Sequence, residues 1–144
     1  MLTTTSKHAL RTLVALAGQR DDTFVLGRTL AAATEVPTNY LAKILGTLGT
    51  AGLVEAVRGR NGGYRLARPP EDIRLVEAVE LFEGVRTDPS CVLGIHETCS
   101  DATPCSAHHL FRDVRARYVA FLEHTSIADA ARMEDTHLPS GRPP

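Results

Sequence analysis

Residues 38–68 read TNYLAKILGTLGTAGLVEAVRGRNGGYRLAR, and this stretch decides the fold. From Thr38, the residues Tyr40, Leu41, Ile44, Leu45 and Leu48 recur at helical spacing, which predicts a helix with an apolar inner face. Pro37 suits the first turn, where a missing N–H costs nothing, and Gly49 and Gly52 mark the exit. Leu53–Val57 and Gly63–Ala67 then read as two short strands around the tip Arg58–Gly62. There Asn61-Gly62 is expected to supply the positive φ of a tight hairpin. Pro69-Pro70 closes the unit, because neither residue can donate to a continuing ladder.

Upstream, Arg28–Thr34 predicts a short helix that meets the longer one through a turn at Glu35-Val36-Pro37. Before it, Ser6–Gln19 places Leu10, Leu13, Val14 and Leu16 on one stripe, with Ser6 as N-cap and Asp21-Asp22 as the break. Helix, turn, helix and hairpin in this order make a winged helix-turn-helix. Downstream, Asp72–Phe82 predicts a helix with Ile73, Val76, Val79 and Phe82 inward, and a loop follows over 87–104. A long helix, Ser106–Thr125, sets Leu110, Val114, Tyr118, Phe121 and Leu122 on one side, a rod of ~30 Å. A chain of 144 residues has little core for such a rod, so a partner helix is the economical cover. Ser126–Arg132 reads as a last Ser-led helix. The expected architecture is mainly α: a winged helix-turn-helix with a small β-hairpin wing, plus a long C-terminal dimerisation helix. Residues 1–70 form the DNA-binding unit, 71–132 the metal-binding loop and dimerisation helix, and 133–144 a flexible, polar tail.

Charge divides along the same line. The net charge is −1, yet residues 1–68 hold nine Lys/Arg against four Asp/Glu, and residues 69–144 hold seven against thirteen. One half can meet a polyanion and the other cannot. No apolar run approaches the ~18 residues of a membrane span. Arg11 interrupts the first apolar stretch, so it does not read as a secretory signal, and the expected compartment is the cytoplasm. Trp is absent and aromatics reach only 5%, which argues against a carbohydrate site or a base-stacking platform.

On the helix after the turn, Thr38, Asn39, Ala42 and Lys43 face outward. Asn can pair bidentately with adenine, and Lys can reach guanine or a phosphate. The hairpin adds Arg58, Arg60 and Arg65, with Arg68 just beyond and no acid between Arg58 and Arg68. Such tip arginines grip phosphates or enter a minor groove. A double-stranded operator is therefore the expected partner.

Cys91, Cys99 and Cys105 fall within fifteen residues of a polar loop. An odd count in a cytosolic chain argues against a disulfide framework. Soft thiolates select an iron–sulfur cluster, zinc or copper(I), and three of them leave one position open. His108 and His109, three and four residues after Cys105, are candidates for it, with His8 farther away.

Leu2-Thr3, Ala9-Leu10-Arg11, YLAKIL, LGTAGLVEAVRGRNGGYRLAR and the clustered cysteines resemble the Rrf-two (Rrf2) family over about 1–129. These are dimeric winged-helix transcription regulators of the IscR, NsrR and RirA type. The resemblance implies a homodimer with an iron–sulfur cluster in the loop before the dimerisation helix. In the IscR-like branch a histidine three residues past the last cysteine completes the ligand set, and His108 occupies that position. Other branches take a carboxylate from the partner's first helix, where this chain has Lys7, which cannot ligate while protonated. The seven-residue first cysteine gap departs from the five of many members and is closer to the RirA type. A [2Fe-2S] cluster on Cys91, Cys99, Cys105 and His108 is the first expectation, with [4Fe-4S] next.

The expected function is a cluster-controlled DNA-binding regulator, a repressor as is commoner in that family, responding to iron, nitric oxide or redox state. Two alternatives stand beside it. Cys91, Cys99, Cys105 and His109 spell C-x7-C-x5-C-x3-H, close to a zinc finger that binds RNA, although no aromatic, Lys or Arg lies between Cys91 and Cys105. A winged helix can also serve as a protein-interaction adaptor. An enzyme is not expected, because no phosphate-binding Gly loop or nucleophile elbow is present.

Overall fold

The computed structural model describes residues 2–19, 23–87 and 89–137, with side chains to residue 132. Its elements run in the order α1 (Thr4–Ala17), α2 (Gly27–Thr34), α3 (Thr38–Thr50), β1 (Val54–Val57), β2 (Gly63–Leu66), α4 (Leu75–Phe82), α5 (His108–His124) and α6 (Ile127–His137). This is the expected mostly helical winged helix-turn-helix with a two-stranded antiparallel wing and a long C-terminal helix.

The cap of α1 is Thr3, not Ser6. Thr3 Oγ1 accepts the Ser6 amide at 3.1 Å, and Ser6 itself is fully buried. Buried Thr12 and Thr34 satisfy their hydroxyls on carbonyls four residues back, His8 and Leu30. The turn between α2 and α3 begins at Glu35, whose φ of 58° is left-handed. The Arg11 side chain holds it, donating to the Thr34 carbonyl and lying 3.7 Å from the Glu35 carboxylate. On α3, Leu41, Ile44, Leu45 and Leu48 are buried as expected. Tyr40 is 55% exposed, so the inner arc closes without it.

β1 and β2 pair in register, Val54 with Leu66 through Val57 with Gly63. The tip differs from expectation. A turn closes from the Gly62 amide to the Gly59 carbonyl at 3.1 Å, and the positive φ angles belong to Gly59 (113°) and Gly63 (140°), not to Asn61-Gly62. Gly62 and Gly63 are required for close approach instead. A Cβ on Gly62 would lie 2.2 Å from the Val57 carbonyl oxygen, and one on Gly63 2.3 Å from that of Val25. That second approach lets Val25 and Tyr64 exchange two 2.8 Å backbone hydrogen bonds, adding a third short strand position to the wing.

Past Pro69 the chain makes one 3-10 turn, Pro70–Asp72, and then runs extended before α4 starts at Leu75. The helix expected from Asp72 is shortened because this segment pairs with the α5–α6 junction. Ile127 N donates to Ile73 O at 2.8 Å and Leu75 N to Thr125 O at 3.0 Å. The same pairing ends α5 at His124. Without Ser106-Ala107 at its start, α5 has 17 residues, ~25 Å. Ser126 caps α6 reciprocally with Asp129: Ser126 Oγ accepts the Asp129 amide at 3.0 Å, and Asp129 Oδ2 accepts the Ser126 amide at 2.9 Å. The helix continues to His137, into the segment read as tail. Residues 138–144 and the Asp21-Asp22 break lie outside the described residues.

One hydrophobic core runs from Ala9, Leu13 and Leu16 through Leu30, the α3 leucines, Val76 and Val79 to Leu122 and Ile127. It crosses the division expected at residue 70, with α1 packed on α2, α3, α4 and α6. The expected single stripe of α5 splits. Leu122 is buried and Tyr118 half-buried, whereas Leu110 (82%), Val114 (53%) and Phe121 (53%) face outward.

Candidate DNA-binding face and metal-ligating loop

Because Leu41, Ile44, Leu45 and Leu48 anchor α3 in the core, the opposite arc must face out. Thr38, Asn39, Ala42 and Lys43 are all exposed, and the exposed Tyr40 ring joins them. Tyr40 was hidden in the sequence by its apolar character. Arg58 and Arg60 stand exposed at the wing tip with no ion-pair partner among the described residues, and neither does Lys43 have one. Arg65 and Arg68 are differently placed. Arg65 Nε donates to Glu55 at 2.8 Å, and Arg68 Nη2 donates to Glu77 at 2.5 Å.

The cysteine loop leaves α4 through a tight anchor. Glu80 accepts the amides of Arg86 (3.1 Å) and Thr87 (3.2 Å) and the Thr87 hydroxyl (2.8 Å). Burial pushes the Glu80 carboxyl up, but the Thr87 hydroxyl, the two amides and the Arg86 charge together outweigh it and hold the group below the usual carboxylate value. Arg86 also reaches Glu123 of α5 at 3.7 Å, and Arg115 of α5 donates to the Val85 carbonyl at 2.7 Å.

The seven-residue gap is itself a small hairpin. Ser90 and Thr98 bridge antiparallel, Cys99 N donates to Pro89 O at 2.6 Å, and Gly94 takes a φ of 66° near the turn. Cys91 and Cys99 therefore leave from the hairpin base, while Val92, Leu93 and Ile95 at its tip are about half exposed. All three cysteines are half-buried free thiols. The His96 amide points at the Cys91 sulfur. Against some burial, it is helped by the amides of Leu93 and Ile95 and by the Cys105 thiol, and together they draw the Cys91 thiol down to about 7. Donors so arranged favour an anionic sulfur.

His108, at the start of α5, is buried to 5%. Its Nδ1 lies 3.4 Å from Cys99 Sγ, and its Nε2 lies 2.7 Å from Asp101 Oδ1. His109 packs edge-on against it but is itself exposed. His8 sits on α1, its Nδ1 buried and without a hydrogen-bond partner among the described residues, and Lys7 beside it is exposed. Among the described residues no three His, Cys, Asp or Glu side chains converge on one point. The donors stand in two pairs instead, Cys91 with Cys105 and Cys99 with His108. In chemistry the set fits a thiolate-rich metal group. The spacing of the second pair fits as well: a tetrahedral centre with sulfur at ~2.3 Å and nitrogen at ~2.05 Å sets its ligands about 3.5 Å apart.

The packed helix-turn-helix, its outward α3 face and the wing define a winged-helix, DNA-binding transcriptional regulator. The chain belongs to the Rrf2 family, described as "Iron-dependent Transcriptional regulator", which it matches over residues 2–133. It is 29% identical to the HTH-type transcriptional regulator NsrR of Bacillus subtilis over 134 residues, covering 93% of this chain and 92% of that one. The fold is similar to that of CymR, titled the global cysteine regulator of B. subtilis (TM-score 0.76, 22% identity, covering 92% of this chain and 97% of that one). It is also similar to IscR of T. potens (TM-score 0.73, 22% identity, 98% and 93%). These relatives are regulators, not enzymes. Among the described residues no helix is long and apolar enough to cross a membrane.

Proposed function

We propose that the chain binds an operator duplex as a homodimer and represses transcription under the control of an iron–sulfur cluster held by Cys91, Cys99, Cys105 and His108. The observation that carries this reading is the 3.4 Å approach of Cys99 Sγ to His108 Nδ1, on a loop that also pairs Cys91 with Cys105 and joins α4 to α5. A bound cluster, [2Fe-2S] for a set of three thiolates and one imidazole, supplies iron that can be oxidised, nitrosylated or lost.

The chain's own residues connect that site to DNA. Thr38, Asn39 and Lys43 meet base edges or nearby phosphates, while Arg58 and Arg60 meet the backbone or minor groove. Leu110, Val114 and Phe121 lie at positions i, i+4 and i+11, a spacing that suits a helix–helix seam. Two copies joined there must present their α3 helices roughly one DNA turn apart, ~34 Å. Arg86 and Arg115 tie the loop to α5, so a change in how the four donors are held alters the support of that seam.

The test is protein purified without oxygen, assayed for iron, acid-labile sulfide and visible absorption, and titrated with operator DNA before and after cluster assembly. Visible absorption with both elements present, and an operator affinity that changes on assembly, are expected. The triple variant Cys91→Ala, Cys99→Ala, Cys105→Ala should lose both. Colourless protein holding zinc, or an affinity indifferent to the three substitutions, would overturn the proposal.

A further inference from the structure

We infer that Asp101 is a positioning residue that selects Nδ1 of His108 as the metal-binding nitrogen; the inference rests on the cluster reading above. A neutral imidazole has one N–H and one lone pair, and either nitrogen can carry the hydrogen. Asp101 Oδ1 lies 2.7 Å from Nε2. An ionised carboxylate only accepts, so the hydrogen sits on Nε2 and the lone pair is left on Nδ1. Nδ1 is the atom 3.4 Å from Cys99 Sγ.

The surroundings hold this choice in place. The His108 ring is buried while the Asp101 carboxylate is 80% exposed, so the acid stays hydrated and ionised at one end of a ring enclosed elsewhere. The segment Cys99-Ser100-Asp101 straddles the ring, with sulfur on its Nδ1 side and carboxylate on its Nε2 side. Ser100 Oγ, accepting the Ala102 amide at 3.0 Å, fixes the bend that follows. An N–H to carboxylate bond behind a ligating imidazole fixes its orientation and raises its basicity. Two residues of one short loop thus settle both the direction and the donor strength of a third.

The experiment uses the full chain with 15N-labelled histidine, as wild type, Asp101→Ala and Asp101→Glu. In cluster-free protein, long-range proton–nitrogen correlation should show His108 as the Nε2–H tautomer in wild type, lost in D101A and restored in D101E. After anaerobic assembly with ferric iron and sulfide, pulsed EPR of the dithionite-reduced protein should show coupling to Nδ1. Iron loss to a chelator should be about ten-fold faster in D101A, with recovery in D101E. Circular dichroism checks that D101A stays folded. A wild-type Nδ1–H tautomer, coordination through Nε2 or through the Asp101 oxygen, or a D101A protein unchanged in tautomer and iron release would overturn the positioning role while leaving the cluster reading intact. Wild-type protein that takes up no iron or sulfide would overturn the cluster reading and this role together.

Discussion

Arg65 Nε lies 2.8 Å from Glu55 Oε2 across the β1–β2 pair, and its guanidinium carbon sits 4.5 Å from the centroid of the Phe24 ring. The two residues face each other in register, so the pair belongs to the wing's own architecture. Arg58 and Arg60, beyond the end of the ladder, have no such engagement among the described residues.

The wing arginines should therefore separate by measurement. Arg58→Ala and Arg60→Ala are each expected to weaken binding to specific and random duplexes alike. Each should also lower the slope of log affinity against log salt by about 0.9 for every phosphate no longer neutralised. Arg65→Ala should instead lower the urea midpoint of the protein. Electrophoretic shift titrations across salt, paired with urea denaturation of each variant, read both quantities.

On α3, Asn39→Ala and Lys43→Ala should leave stability unchanged, because both side chains are exposed. Discrimination between operator and point-substituted duplexes should fall by about 1–3 kcal/mol for each bidentate base pairing removed. Competition titrations with a panel of single-base variants measure this directly.

Glu80→Gln should destabilise the protein by about 1.5–3 kcal/mol at pH 7, the range for hydrogen bonds to a charged group. The folded protein holds this carboxyl below its usual value. Its contribution is therefore complete above the unfolded value of ~4.3 and disappears as pH falls through the folded-state value. Urea midpoints of wild type and variant should differ at pH 7 and converge as pH falls below the lowered folded-state value.

Leu110→Glu combined with Phe121→Glu should convert a dimer to a monomer in sedimentation velocity without loss of helical signal. Both side chains point away from the core, so only a second copy should register the change.

Much of the architecture was legible from sequence because the decisive signals are local. Pro37 before Thr38, the α3 leucines and Ser126 ahead of α6 each fix a boundary within one turn. Several misreadings have a different origin, in packing or partners outside the local pattern. Asp72 starts no helix because Ile73 and Leu75 pair with residues 54 and 50 positions on. Tyr40 is apolar in composition but falls outside an arc already filled by four aliphatic residues. Arg68, counted with the basic wing, is held by Glu77 of α4. In the metal-ligating loop, cysteines and histidines announce themselves by type, whereas Asp101 is an ordinary acid in a polar stretch until its distance to a ring seven residues later is known.

The packing of α1 between the reading helices and α6 has a practical corollary. A protease or gene fragment that stopped after the wing would strip α4 and α6 from α1, the helix on which α2 and α3 also pack. No detachable operator-binding piece should therefore be recoverable from this chain. Loss of the C-terminal helices should cost the fold of the whole chain and, with it, the proposed grip on the duplex.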